Sequence, residues 1–318
     1  MLAETNGYPV PYHPTWEIID SSKLQDYITC PRLFFYKYVL GWDKDELNNH
    51  LIFGEAWHAA MEHLLLHGYT EDSIIGAYQA FIDIYRPNFP EGTDELLFPK
   101  VPSRALEALI LYCMEWEQRD RAQEVLYTEI SGTVAVMENV PLHFRMDSIL
   151  RVDGKIRSRE HKTGSRLDRT WETQWSLKTQ VGTYTHVLYC LYPPDEIYGI
   201  EINGAIFTKK NTRFPRIPIR KQREAMQVWW WNTKEWASRM LQDYERLHES
   251  KREDGILMAF PMATESCTKY FGCPFMDYCS AWPNPLQYAE EPPIGYAVRW
   301  WDPSDRPSKV VMNLDGDI

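Results

Sequence analysis

The sequence predicts an α/β fold: a mixed central sheet flanked by helices, with a helical insertion ahead of the sheet and a cysteine-cluster segment behind it. Three observations carry this. Residues 125 to 208 read as strands interrupted by a single helical stretch, and longer stretches of helical period lie on both sides. An Asp153-Gly154 pair between two apolar-alternating runs marks a hairpin inside the strand region. Three of the six cysteines crowd into the segment CTKYFGCPFMDYC, past the last long helix.

The elements follow in order. Residues 1–20 form an irregular lead containing proline. A helix covers 21–40 and residues 55–85 are mostly helical. A loop broken by prolines spans 86–102, and a helix runs over 103–122. Strands occupy 125–138, 141–152 and 155–162, followed by a helix over 171–191, a strand over 197–208 and a long helix over 220–250. The chain thus divides into a lead over 1–20, one domain over 21–285 and a Pro/Trp-rich tail over 286–318. Within the domain, the helical insertion covers about 55–122, a catalytic core about 125–210, and the C-terminal helix with the cysteines 220–280.

The hairpin carries the chemistry. In HFRMDSILRVDGKIRSREHKTG, Asp147 lies near its start, and Glu160 and Lys162 lie near its end. Glu160 and Lys162 are two residues apart on a strand and share a face. Folding at Asp153-Gly154 returns Asp147 to the same end. Two carboxylates can hold a hard divalent cation. A neighbouring ammonium can orient an attacking water or neutralise charge on a phosphate. An ordinary charged surface hairpin would show the same spacing, so the wider context decides.

That context resembles the PD-(D/E)XK nuclease superfamily, in particular its RecB-like branch with AddB and the CRISPR-associated iron–sulfur nucleases. The resemblance runs in order from about Ser21 to Ser280. It takes in SSKLQDYITCPRLFFYKYV with the Cys30-Pro31 pair, then FGEAWHAAMEHLL, where His58 stands four residues after Gly54. Asp147 and the Glu160-His161-Lys162 triplet come next, then Gln180 and Tyr184 in QVGTYTHVL, and last Cys267, Cys273 and Cys279. The resemblance implies a restriction-endonuclease-like sheet and metal ligation by His58, Asp147, Glu160 and the main-chain carbonyl of His161. An imidazole beside two carboxylates suits Mn²⁺, with Mg²⁺ as the other choice. Glu62, four residues after His58, falls on the same helix face, and His63 and His67 read as packing or solvated residues. Gln180 and Tyr184, also four apart, project together and can hydrogen-bond a phosphate or orient the acids. Glu129 is a further acidic candidate.

Cys113 and Cys190 lie in apolar helical runs and read as buried hydrophobes. The resemblance implies that Cys30, Cys267, Cys273 and Cys279 bind a structural [4Fe–4S] cluster. The five residues between Cys267 and Cys273 exceed the family's usual gap of two. Zinc on four thiolates is the rival, though such sites usually contain a tight C-x2-4-C pair, and disulfides come third. No segment reads as a signal peptide or as an apolar span of roughly 20 residues. A cytoplasmic chain with reduced thiols, without membrane association, is therefore expected.

The composition, 44% hydrophobic and 25% charged, is that of an ordinary globular chain. A net charge of −11 argues against nucleic acid only if the charge is evenly spread. Lys209, Lys210, Arg213, Arg216, Arg220, Lys221 and Arg223 form a run without acids, and Arg151, Lys155, Arg157, Arg159, Arg166 and Arg169 surround the hairpin. Both runs are expected to border a phosphate groove, with Lys209, Lys210, Arg213, Arg216 and Arg220 contacting DNA. Acids elsewhere on the exterior would favour threading of a single strand. Of the consecutive Trp229, Trp230 and Trp231, at least one should be exposed, and packing against the Pro/Trp tail is the expectation for the rest.

The resulting expectation is a metal-dependent deoxyribonuclease, with exonuclease action on DNA ends or single strands favoured. The resemblance places such enzymes in recombination, repair, replication or spacer acquisition, often phage-encoded, and leaves any helicase or recombination partner unidentified. Two alternatives stand: a catalytically silent DNA- or partner-binding module with this fold, and a restriction-type endonuclease.

Overall fold

A computed structural model of the chain describes residues 6–137, 140–269, 272–305 and 308–314. A short strand, β1 (Ile19–Asp20), leads into α1 (Ser21–Thr29), which Asp20 caps by accepting from the Lys23 N–H at 2.8 Å. The expected helix over 21–40 is broken at Cys30, whose φ is −165°. Pro31 follows it, and a residue before proline is pushed to extended backbone. Helix α2 (Pro31–Phe34) then continues as a π-turn over Phe35–Val39.

After β2 (Trp42–Lys44), α3 (Asn49–His67) starts ahead of the expected residue 55, because the Asn48 side chain caps it by accepting from the His50 and Leu51 N–H groups. His58 therefore lies mid-helix. Helices α4 (Glu71–Tyr85), α5 (Asp94–Leu97) and α6 (Pro102–Asp120) complete the insertion. Strands β3 (Glu124–Met137), β4 (Val140–Val152) and β5 (Lys155–Gly164) form the antiparallel meander that the sequence predicts. Val152 pairs with Lys155 across Asp153 and Gly154, whose φ values of 51° and 72° match the hairpin turn in which both central residues are left-handed.

The expected helix over 171–191 is two helices, α7 (Arg169–Thr173) and α8 (Thr179–Leu191). Trp171 lies against Gly164 and Gly204, anchoring α7 at the sheet's end, and α8 packs across the sheet. Then come β6 (Ile197–Phe207), β7 (Thr212–Arg213), β8 (Arg216–Ile219), α9 (Arg223–Glu249), α10 (Met276–Ala281), β9 (Tyr296–Val298) and β10 (Val310–Leu314).

The main sheet has the order β10-β3-β4-β5-β6-β7, with β1 beside β4 and β8 beside β6. β5 and β6 run parallel, joined through α7 and α8. The C-terminal residues pair into sheets: β9 lies antiparallel to β2, and β10 lies parallel to β3. That last approach requires Gly132, since a Cβ there would stand 1.6 Å from the Met312 carbonyl oxygen.

One apolar core (Leu24, Ile130, Phe144, Val187, Met240) holds α1, α8 and α9 on the sheet. A second (Phe53, Trp57, Phe81, Leu109, Phe207) joins α3, α4 and α6 to the end of β6. Trp229 and Trp230 pack on His186 of α8 rather than on the tail, whose Trp300 stacks on His13. Trp231 is 64% exposed, as a fanned triplet requires. No helix among the described residues is long and apolar enough to cross a membrane.

Candidate active site

The start of β4, the end of β5 and the α3 helix line an open cavity of about 910 Å³. Asp147, His58, His161, Lys162, Gln180 and Tyr184 all line it, whereas Glu160 is buried behind the lining, next to Asp147 and Lys162. Asp147 Oδ2 accepts from the His161 main-chain N–H at 2.7 Å, and Oδ1 stands 3.3 Å from His58 Nδ1. Burial opposes ionisation of Asp147, but the His58 imidazole and then Lys162 outweigh it and hold the carboxyl below its ordinary range. Glu160 behaves oppositely. Burial first, and the Asp147 charge second, push its pKa well up. Its Oε1 accepts from Ser158 Oγ at 2.8 Å, whereas Oε2 is buried without a hydrogen-bond partner, with Lys162 Nζ 4.0 Å away. Two carboxylates whose affinities for protons are driven apart mark a chemically committed site.

Gln180 Nε2 donates to the Tyr184 phenol at 2.9 Å, and that phenol donates in turn to the Arg145 carbonyl on β4. Tyr184 thus steadies the strand two residues before Asp147. Glu129 also reaches the cavity, at a left-handed φ of 47°, but its carboxylate is engaged by Arg145 Nε at 2.8 Å. Glu62 lines the cavity too and pairs with Lys309 at 2.7 Å. His63 and His67 lie against each other at a tilt of 41°, with ring centroids 4.4 Å apart, outside the cavity lining.

The donor set, two carboxylates (one with an unpartnered buried oxygen) and an imidazole, fits a hard divalent cation in its chemistry. Its arrangement is not that of a formed centre: among the described residues, no three His, Cys, Asp or Glu side chains are placed to hold a metal ion. His58 and Asp147 are engaged with each other, Nδ1 to Oδ1 at 3.3 Å.

The basic residues are where the structure departs furthest from expectation. Lys209, Lys210, Arg213 and Arg220 are exposed but lie outside the cavity lining. Arg216 is not available to DNA. Its side chain is 9% exposed, and its two Nη atoms each donate to Asp120 at 2.6 Å while Nε donates to Asn203 Oδ1 at 3.1 Å. Arg159 and Arg157, from the second basic run, pair with Glu201 at 2.7 and 3.0 Å, and Arg159 also reaches Asp120 at 3.2 Å. This buried network ends on the site: Asn203 Nδ2 donates to His161 Nδ1 at 3.0 Å, and burial pushes that imidazole down to about 3, leaving Nδ1 free to accept. Sequence reasoning missed Asn203, Ser158 and Arg145, because their partners are distant in sequence and no spacing signals them.

Cys30 lies at the break between α1 and α2, where its Sγ accepts from the Ala263 N–H at 3.3 Å. Cys267, Cys273 and Cys279 come to the same place. Burial pushes the Cys279 thiol up to about 12, and it lies within electrostatic reach of Arg32 and of the other three cysteines. Cys113 and Cys190 are remote, and burial raises both, to about 12 and 11. All six thiols are free, so none is in a disulfide, and the four sulfurs are not arranged as ligands.

A family model of the PD-(D/E)XK nuclease superfamily matches residues 21–280. No curated protein matches the chain significantly. Among solved structures, SSO0001 is similar at 14% identity with a TM-score of 0.32, covering 81% of this chain and 84% of that one. With most of its length matched by the family model, the chain belongs to the PD-(D/E)XK nuclease superfamily.

Proposed function

We propose that this chain is a metal-dependent DNA nuclease, and specifically an exonuclease acting on DNA ends or single strands. Superfamily membership supplies the coarser part, a phosphodiester hydrolase of DNA whose relatives generally use Mg²⁺ or Mn²⁺. The observation that carries the reading is Asp147 lining the cavity with Lys162 and His58, and the buried Glu160 beside it, outside the lining, with its Oε2 unpartnered and 4.0 Å from Lys162 Nζ.

In this reading Asp147, Glu160 and His58, with the main-chain carbonyl of His161, hold the cation. A bound divalent ion supplies neutralisation of phosphate charge and lowers the pKa of water. Lys162 positions the attacking water or stabilises charge growing on the phosphate. Gln180 and Tyr184 act by orientation, since Tyr184 fixes the backbone that presents Asp147. Action on single strands is proposed from the family resemblance; the cavity is lined by α3 and by Trp301, Pro303 and Lys309 of the C-terminal segment. The four cysteines are read as ligands of a structural [4Fe–4S] cluster, with zinc as the competing occupant. What supports this is their convergence from opposite ends of the chain.

The test is incubation with Mn²⁺ or Mg²⁺ and two substrates, an end-labelled single-stranded oligonucleotide and a covalently closed plasmid. An exonuclease shortens the first and spares the second. Discrete fragments from the circle would favour the restriction-type reading. Equal survival of both substrates with wild type and Asp147→Ala would favour a silent binding module.

A further inference from the structure

Lys100 is a buried cation that has no counter-ion among the described residues. It is 4% exposed, lines the cavity, and comes from the insertion loop between α5 and α6. Its ammonium carries three donors, yet among the described residues the hydrogen bond it makes is a single long one to Thr163 Oγ1 at 3.3 Å, with the Phe53 ring 5.7 Å below. Burial pushes its pKa down to about 8, with no carboxylate countering the shift. Lys23 provides the contrast. At 2% exposed it is as deeply buried and is likewise pushed down to about 8, so the difference lies in the contacts: its Nζ is satisfied by the Thr15 and Ile18 carbonyls, with Asp20 close by. Lys23 reads as structural, and Lys100 reads as unfinished.

The position of Lys100 is also fixed deliberately. Its main-chain carbonyl accepts from the Tyr85 phenol at 2.9 Å and from Asn49 Nδ2 at 3.3 Å, so two helices pin the backbone that presents the ammonium. A buried, unneutralised charge is costly to a fold unless something completes it. The cavity it faces is otherwise heavily acidic, with Asp20, Glu55, Glu62, Glu129 and Asp147 in its lining. A polyanion entering there needs cations. Of those available, Arg145 and Lys309 are already paired with Glu129 and Glu62. Thr163 follows Lys162 on β5, so the two side chains leave the strand on opposite faces, and Lys100 meets the cavity from the Thr163 side.

We propose that Lys100 binds a non-scissile phosphate of the substrate strand, on the insertion side of the position that Lys162 serves. This rests on the nuclease reading above and extends it by a residue that no motif contains. The contact is made equally in the ground state and the transition state, so it acts on KM and not on the chemical step.

The experiment measures kcat and KM for a single-stranded oligonucleotide with Mn²⁺ between 50 and 200 mM salt, for wild type, Lys100→Met and Lys100→Arg. Methionine keeps the apolar stem and removes the charge. The expected result for Lys100→Met is a KM raised about tenfold at low salt, with kcat within about twofold. Its log–log salt dependence should be shallower by about 0.7, one phosphate contact on a single strand, and Lys100→Arg should restore both. An unchanged KM and salt slope in Lys100→Met would overturn the proposal and leave the nuclease reading intact. So would a joint loss of kcat and melting temperature at unchanged slope, the signature of a packing role. A wild type that cleaves no DNA would instead remove the nuclease reading, and this inference with it.

Discussion

The main-chain N–H of His161 donates to Asp147 Oδ2 across 2.7 Å, which ties the first acid of the site to the strand that carries the second. Because the donor is backbone, the relationship survives any side-chain change on β5. Asp147→Asn should therefore keep the fold, since an amide oxygen can accept the same bond, while losing the charge that a cation would need. The expected outcome is a melting temperature close to wild type and a fall in kcat on the order of 10³-fold. Nuclease activity within tenfold of wild type would show that Asp147 does not serve the chemistry.

Glu160 gives a stability test that does not depend on activity. Burial and then the Asp147 charge raise its folded-state pKa above the ordinary 4.5, so the folded chain keeps a proton that the unfolded chain has lost. Its favourable contribution is present below about pH 4.5 and disappears as pH rises through the raised value. In a chelator at pH 8, Glu160→Gln should melt above wild type by about 2–4 °C, and the two should converge near pH 4. Adding Mn²⁺ should raise the wild-type midpoint more than the variant's, because binding to the folded state stabilises it. A Glu160→Gln chain that melts lower than wild type at pH 8 without metal would contradict the burial argument.

The buried network around Asp120 yields the third expectation and shows where sequence reading stops. Asp120 accepts from Arg216 and Arg159, and from the Tyr69 phenol at 2.6 Å. Asp120→Ala would leave the buried Arg216 guanidinium without its carboxylate partner, and Arg159 with Glu201 alone, and should cost about 3–5 kcal/mol in denaturant unfolding. Arg216→Ala should likewise lose stability. Replacing exposed Lys209 and Lys210 together should leave the melting temperature unchanged and weaken oligonucleotide binding. If the Arg216 variant kept full stability and lost only DNA affinity, the groove reading of that residue would be restored.

The strands and the hairpin turn were legible from local period and turn residues, whereas His58, Asp147, Glu160, Lys162, Gln180 and Tyr184 were picked out together only through the resemblance to the nuclease superfamily. The hairpin, for example, needs only Asp153-Gly154 between alternating runs. The basic runs misled for a physical reason. A run without acids looks unneutralised along the chain, but Asp120 and Glu201 reach Arg216, Arg159 and Arg157 from other elements. Lys100 was invisible for the converse reason. Nothing about a lysine after Phe98-Pro99 says that it will be buried facing a cavity; only the packing of α3 and α4 against the end of the sheet does.

The cysteines separate a shared metal site from four independent thiols. If Cys30, Cys267, Cys273 and Cys279 act as one unit, Cys30→Ala should lower metal content, solubility and melting temperature together. Closing so long a loop through a cluster is worth at most about 5 kcal/mol on a chain-entropy argument. Cys113→Ala should leave metal content alone, since Cys113 is buried in α6 away from the other four. Anaerobically purified wild type should be brown, with visible absorbance bleached by reductant, if the occupant is iron–sulfur. A colourless protein carrying stoichiometric zinc would assign the thiolates to zinc instead. Metal loading unchanged by Cys30→Ala would take that residue out of the ligand set and remove the tie between the first helix and the C-terminal segment.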